Sequence, residues 1–163
     1  MSMKYIFTTL LLLCLYTVQA QQKRVASSYT FKTECLGLES DGSQTLKAWG
    51  TGRNYSDASE QAKKNAVIDV LFYGIMEGKS DCSRKPLLPE VNAQEKYRYF
   101  FNNFFVDGGA YLNYVLLKDE RIGNKISRNR LKSREGVTHG LVVRVMRGQL
   151  EQMLYQEGIL KIQ

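Results

Sequence analysis

Gln44-Thr45-Leu46-Lys47-Ala48-Trp49-Gly50-Thr51-Gly52-Arg53, followed by Tyr55-Ser56-Asp57-Ala58-Ser59-Glu60-Gln61-Ala62-Lys63-Lys64-Asn65-Ala66, is the stretch on which the fold turns. Its first half reads as a strand. Upstream, Ser28–Leu38 alternates with Tyr29, Phe31, Thr33 and Cys35 on one face, as a second strand does. Ser40-Asp41-Gly42-Ser43 between them is a turn signal, so the two strands are expected to form a hairpin. The second half predicts a helix. Asp57 as N-cap places Glu60 at N3, a capping box, with Ser56 as a competing cap. Ala58, Ala62 and Ala66 recur at four-residue steps, a narrow stripe of small side chains that lets a helix lie close on a sheet. Beyond it, Val67, Ile68, Val70, Leu71 and Phe72 are apolar almost all round, so the end of the helix is expected to be buried on several sides. Gly74 or Gly78 would stop it.

Lys79–Pro89 reads as a loop carrying Cys82, Pro86 and Pro89. Asn92–Val106 predicts a second helix, with Tyr97, Phe100/Phe101 and Phe104/Phe105 at helical spacing and Gly108-Gly109 ending it. That aromatic stripe is expected to be core; exposed, it would be a docking surface for a partner. Strands are expected over Tyr111–Ile122, over Lys125–Arg134 (polar, at an edge) and over Val137–Met146, where Val137, Leu141, Val143 and Val145 share a face. Gly148–Gly158 predicts a short terminal helix. Hairpin-type connections dominate and βαβ alternation is lacking. The expected fold class is α+β: an antiparallel sheet of about five strands with a long helix packed on it, an inserted aromatic-rich helix and a short C-terminal helix.

The N-terminus reads as an export signal. Met1-Ser2-Met3-Lys4 is a short basic region, Tyr5–Val18 is nearly all apolar, and Val18-Gln19-Ala20 places small residues at −3 and −1 of a cut after Ala20. The apolar run is short for a membrane span, which needs about 20 residues. An uncleaved anchor and lipidation at Cys14 are the competing readings; Leu13 stands where lipidation needs a small residue. The expected organisation is a signal peptide over 1–20 and a single α+β domain over 21–163, with no transmembrane segment after cleavage. The expected location is the periplasm or outer surface of a Gram-negative cell.

Ala48-Trp49-Gly50-Thr51-Gly52, the Ala58/Ala62/Ala66 stripe, Leu71 and Gly74 together resemble the N-terminal domain of the flagellar assembly protein FlgT and related small secreted envelope lipoproteins. The resemblance covers roughly residues 48–74. It implies an α+β domain with a long helix on an antiparallel sheet, and a structural or assembly role in the envelope. It carries no active site. Its glycines and alanines are packing chemistry: Gly where the backbone turns tightly, Ala where helix and sheet approach closely. The segment from Lys79 to Val106 reads as an insertion relative to that pattern.

The chain is 44% hydrophobic, enough for a core, and carries a net charge of +7. That charge is local: nine basic residues lie between Lys118 and Arg147, opposed only by Asp119, Glu120 and Glu135. Arg128, Arg130, Lys132 and Arg134 fall at every second position and would share one face of a strand. Two readings compete: a patch for an anionic polymer or membrane surface, and an edge strand whose charges discourage edge-to-edge pairing. Export disfavours nucleic acid as a partner. Cys35 and Cys82 are an even pair, expected to form a disulfide in an oxidising compartment, the alternative being two thiols. The bond closes a loop of about 46 residues and contributes about 3–4 kcal/mol in the chain-entropy model. Without a C-x-x-C spacing, redox catalysis is not expected.

The remaining chemistry is sparse. Gly50-x-Gly52 ahead of a helix invites an anion, but the third Gly of the dinucleotide fingerprint is missing and Asp57 and Glu60 put negative charge there. His139, the only histidine, alternates with Val137, Leu141 and Val143 and is expected to face inward as a hydrogen-bonded structural residue. Asp69 falls on the Ala58/Ala62 face and needs a Lys, Arg or Tyr partner from the sheet. No catalytic, metal or cofactor residues are expected. The expected function is a non-enzymatic envelope module with a structural, assembly or protein-docking role, the alternative being a binder of anionic polymers or membrane surfaces through residues 128–134.

Overall fold

Alternation over Gln44–Gly52 and over Gly136–Val145 builds the two central strands, and the rest of the chain is arranged around them. The structure, a computed structural model, describes residues 32–118, 130–133 (backbone only) and 136–161. All belong to one compact unit, Phe31–Gln163. The strands are β1 Glu34–Leu38, β2 Gln44–Gly52, β3 Glu77–Gly78, β4 Val115–Leu117, β5 Arg130–Ser133 and β6 Gly136–Val145. The α-helices are α1 Tyr55–Ile68, α2 Ala93–Lys96, α3 Arg98–Phe104 and α4 Arg147–Gln156. A π-helical turn, Asp69–Tyr73, extends α1, and a 3₁₀ turn, Ala110–Tyr114, precedes β4. The fold is α+β.

The strand order is β3-β1-β2-β6-β4, with β5 also on β6. β1–β2 is the expected hairpin, and β2 pairs with β6 in unbroken antiparallel register from Gln44↔Val145 to Gly52↔Val137. β4 takes the C-terminal end of β6 and β5 the N-terminal end, both antiparallel. β3 adds a two-residue parallel pairing on β1.

The register puts Leu46, Ala48, Gly50 and Gly52 of β2 and Val137, His139, Leu141, Val143 and Val145 of β6 on one face. α1 covers it with Ala58, Ala62, Ala66 and Val67, all fully buried. The Ala stripe does what its spacing predicts. The two glycines do something else. They lie in extended strand, and a Cβ on Gly50 would sit 2.2 Å from both the Ala58 carbonyl oxygen and the Ala62 nitrogen. They permit contact between strand and helix backbone rather than a tight turn.

Asn54 caps α1, its side-chain oxygen accepting from the Asp57 N–H at 2.9 Å. This corrects the expectation of Asp57 or Ser56. Asn is as good a cap, and the helix starts earlier, leaving Asp57 in the first turn paired with Arg53 at 3.0 Å. At the other end the chain widens into the π turn, closed by Gly74 N–H on the Asp69 carbonyl at 2.6 Å. Gly74 has φ 76°, and a side chain there would strike the Arg84 carbonyl, so Gly74 is the stop. Val70 and Leu71 give their carbonyls to the N–H groups of Leu87 and Leu88 at 3.0 and 2.8 Å, so the loop after Cys82 satisfies this helix end.

Two other elements differ from the sequence reading. The helix expected over Asn92–Val106 is kinked into α2 and α3 at Tyr97 (φ −108°, ψ 28°), although N–H to carbonyl bonds continue across it from Tyr97 to Ala93 at 3.1 Å and from Phe101 to Tyr97 at 3.0 Å. The strand expected over Tyr111–Ile122 starts only at Val115, and residues 119–122 lie outside the described ones. Tyr111 and Tyr114 both turn toward the aromatic layer, with Tyr111 against Phe105 at 5.8 Å and Tyr114 against Phe104 at 5.9 Å. A 3₁₀ turn places residues i and i+3 on one side; a strand does not.

Candidate functional site

Phe101 and Phe104 of α3 are buried at 2% and 4% exposure, with Phe101 edge-on to Phe72 of the π turn at 4.9 Å. This is the core expected of the aromatic stripe. The layer does not end there. Phe100 stacks on Phe104 at 5.6 Å with 19° between the rings, and it is only half-buried, as is Tyr97. Tyr99 is 86% exposed. Together with Lys96, Asn103 and Ala110 these rings line an open groove of about 530 Å³. The Lys96 ammonium at its rim is held by both oxygens of Glu90 at 3.1 Å and lies 5.2 Å from the centre of the Tyr97 ring. Glu90 above all raises its pKa, which keeps it charged and already paired.

A second, polar groove of about 390 Å³ lies beside the first turns of α1, lined by Arg53, Asp57, Glu60, Lys64 and Asp107 among others. Its charges pair among themselves: Arg53 with Asp57 at 3.0 Å, Lys63 with Glu60 at 3.6 Å, Lys64 with Asp107 at 2.5 Å. The fully buried Tyr111 donates its hydroxyl to Glu60. That bond is the main cause holding the Glu60 carboxyl below its usual range. Burial, then Glu60, pushes the Tyr111 phenol well above its own. The arrangement clamps α1 to the 3₁₀ turn.

His139 lies on the helix side of β6, half-buried, with Nδ1 3.0 Å from Ser59 Oγ. Ser59 donates its hydroxyl to the Tyr55 carbonyl at 2.6 Å, so its oxygen is what faces the imidazole. That geometry ties β6 to α1. Asp69 is half-buried at the start of the π turn and accepts from the Thr33 hydroxyl, not from the Lys, Arg or Tyr expected. Thr33 immediately precedes β1 and reaches the carboxylate with its short side chain. Burial pushes the Asp69 carboxyl up against the opposing pull of that bond.

Cys35 and Cys82 form the disulfide, with sulfurs 2.03 Å and Cα atoms 5.9 Å apart. It fastens the loop after β3 to β1. Of the basic run, Lys118 pairs with Glu39, and Arg144 pairs with Asp41 at 2.5 Å while donating to Ser43. These bonds hold both carboxyls below their usual range. Arg130 and Lys132 lie in β5, in register with His139 and Val137; Arg128 and Arg134 lie outside the described residues. Among the described residues no group of three or more His, Cys, Asp or Glu could hold a metal ion, and no helix is long and apolar enough to cross a membrane.

The groove residues Lys96, Tyr99, Asn103 and Ala110 were not singled out by the sequence. One signal was there: Tyr97, Phe101 and Phe104 keep helical spacing, and Tyr99 falls off that row. No family model, curated protein or solved structure matches the chain.

Proposed function

We propose that the chain is an exported, non-enzymatic protein of the Gram-negative envelope, in the periplasm or at the outer cell surface, that docks a partner protein through the aromatic groove. The observation that carries this is the run of rings from the buried Phe101 and Phe104 to the 86% exposed Tyr99. Large aromatic side chains that leave a core for solvent mark contact surfaces, and Tyr is among the residues that dominate binding energy. The groove's 530 Å³ lies in the range of sites that seat a ligand or short chain segment. The proposed occupant is a short apolar segment of another protein. The export signal over 1–20 and the resemblance of residues 48–74 to envelope assembly domains support the location. The mutual pairing of the charges beside α1 supports a binding rather than a catalytic role.

A photo-crosslinking residue in place of Tyr99, set against one in place of Tyr155 on α4, tests the proposal in the producing cell. The reading expects one discrete adduct at 99, lost with Phe100→Ser, whose protein re-forms the complex when both are purified. Equal labelling at both positions, or none at 99, contradicts it.

A further inference from the structure

The π turn at the end of α1 is held by one residue used twice. The Asp69 carbonyl accepts from the Gly74 N–H at 2.6 Å, and the Asp69 carboxylate accepts from the Thr33 hydroxyl ahead of β1. The next two carbonyls, of Val70 and Leu71, hold the N–H groups of Leu87 and Leu88. Phe72 carries the turn into the aromatic layer, edge-on to Phe101 at 4.9 Å. The start of β1, the loop after Cys82 and the aromatic layer therefore all meet this turn, and one-turn π-helices recur at functional sites.

Among the described residues no cation compensates Asp69. Lys32, next to Thr33, pairs with Glu77 of β3 at 3.0 Å. On α1, Lys63 pairs with Glu60 at 3.6 Å and Lys64 with Asp107 at 2.5 Å. Glu34 of β1 and Lys79, Asp81, Arg84 and Lys85 of the loop do not bear on its pKa, which burial raises and Thr33 alone lowers. A half-buried carboxylate met by a single hydroxyl is costly when charged, and opening toward water relieves it. Protonated, it keeps an acceptor oxygen for Thr33 and sheds the charge. We propose that Asp69 and Thr33 form a pH-sensitive latch on the π turn, which closes while the carboxyl is protonated, loosens once it is charged, and in loosening lets Phe72 shift against Phe101. The sign follows from burial. A carboxyl raised in the closed state favours closure when protonated, and that contribution is lost as pH climbs from the open-state pKa through the closed one. The latch acts inside this chain and does not depend on what the aromatic groove binds.

Native-state hydrogen exchange of the purified protein, followed by NMR between pH 4 and pH 7 and corrected for the intrinsic pH dependence of exchange, tests the latch. The N–H groups of Gly74, Leu87 and Leu88 report the turn, and those of Leu46 and Val143 in the central strand pair report global unfolding. Protection at the turn is expected to be lower than in the central strands at every pH. It should fall with rising pH, about ten-fold for each pKa unit by which closure raises the carboxyl. Asp69→Asn keeps a partner for Thr33 and should flatten that dependence. Thr33→Val deletes the bond that draws the pKa down and should extend the loss to higher pH. The Phe101 ring resonances should titrate with the turn amides in the wild type and not in Asp69→Asn. Turn protection that equals that of the central strands, that is flat with pH, or that falls equally in Asp69→Asn overturns the latch, as does a Phe101 ring indifferent to pH.

Discussion

Gly50→Ala tests the contact on which the fold depends. The added Cβ would stand 2.2 Å from Ala58 O and Ala62 N, where ordinary contact begins near 3.4 Å, and both obstacles are backbone. No side chain can swing away, so α1 must withdraw by roughly 1.2 Å. Even a gap of about 0.5–1 Å forfeits roughly a quarter to a half of the dispersion well for each facing atom pair, and this one is wider. It opens under Ala58, Ala62, Ala66 and Val67, all with no exposure. Overpacking costs typically ~1–3 kcal/mol, and this site belongs at the upper end, at about 3 kcal/mol. Unfolding entropy near 2.1 cal/mol/K per residue, over about 130 residues, converts that to a fall in Tm of about 11 °C. Thermal unfolding by circular dichroism reads it directly. Gly148→Ala in α4, where a Cβ meets nothing within 4 Å, is the control and should be unchanged or slightly stabilised. A Gly50→Ala protein that melts within about 2 °C of wild type would falsify the backbone-contact account, whatever its activity.

Other perturbations have defined outcomes. Replacing both Cys35 and Cys82 by Ala opens a loop with a sequence separation of 47; the chain-entropy model gives a loss of about 4 kcal/mol, read as a Tm drop above about 10 °C that reducing agent reproduces in the native protein. Asp69→Asn keeps a partner for Thr33 and removes a carboxyl whose folded pKa is raised from 3.8. A raised acid favours folding protonated and loses that stability as pH climbs from its unfolded value through its folded one. The variant should therefore gain on wild type between pH 4 and pH 7, and a Tm difference that is flat or shrinks with pH contradicts this. Tyr111→Phe removes the donor to Glu60, a bond to a charged group contributing ~1.5–3 kcal/mol. Because Glu60 is depressed below 4.5, that contribution is present above the unfolded pKa and lost as pH falls through the folded one, so the two melting curves should converge in acid.

The parts of the fold set by period were legible. The alternation of β2 and β6 and the Ala58/Ala62/Ala66 stripe mark two strands and a helix that lies on a sheet, and the α+β class follows, but that β2 and β6 pair with each other shows only in the fold. The parts set by tertiary contact were not. A two-residue strand such as β3 has no period to read. Tyr111 and Tyr114 imitate a strand in sequence and become a 3₁₀ turn because both rings pack on Phe104 and Phe105. Asn54 was hidden by two equally good caps downstream, and Gly50 and Gly52 read as a turn because spacing does not say whether a glycine bends or merely lacks bulk. The aromatic helix was legible as core. That Tyr99, off the buried row, joins Phe100 and Ala110 in one open groove is something only the packed chain shows.

The proposed role of the surface around Tyr99 is to hold another protein in the envelope. Its most direct measure is the native size of the protein in gently solubilised envelope fractions, beside a Tyr99→Ala/Phe100→Ser variant whose Tm stays within a few degrees of wild type. The wild type is expected to migrate in an assembly larger than one chain and the variant to migrate alone. Identical sizes for the two, with the fold intact, would contradict it.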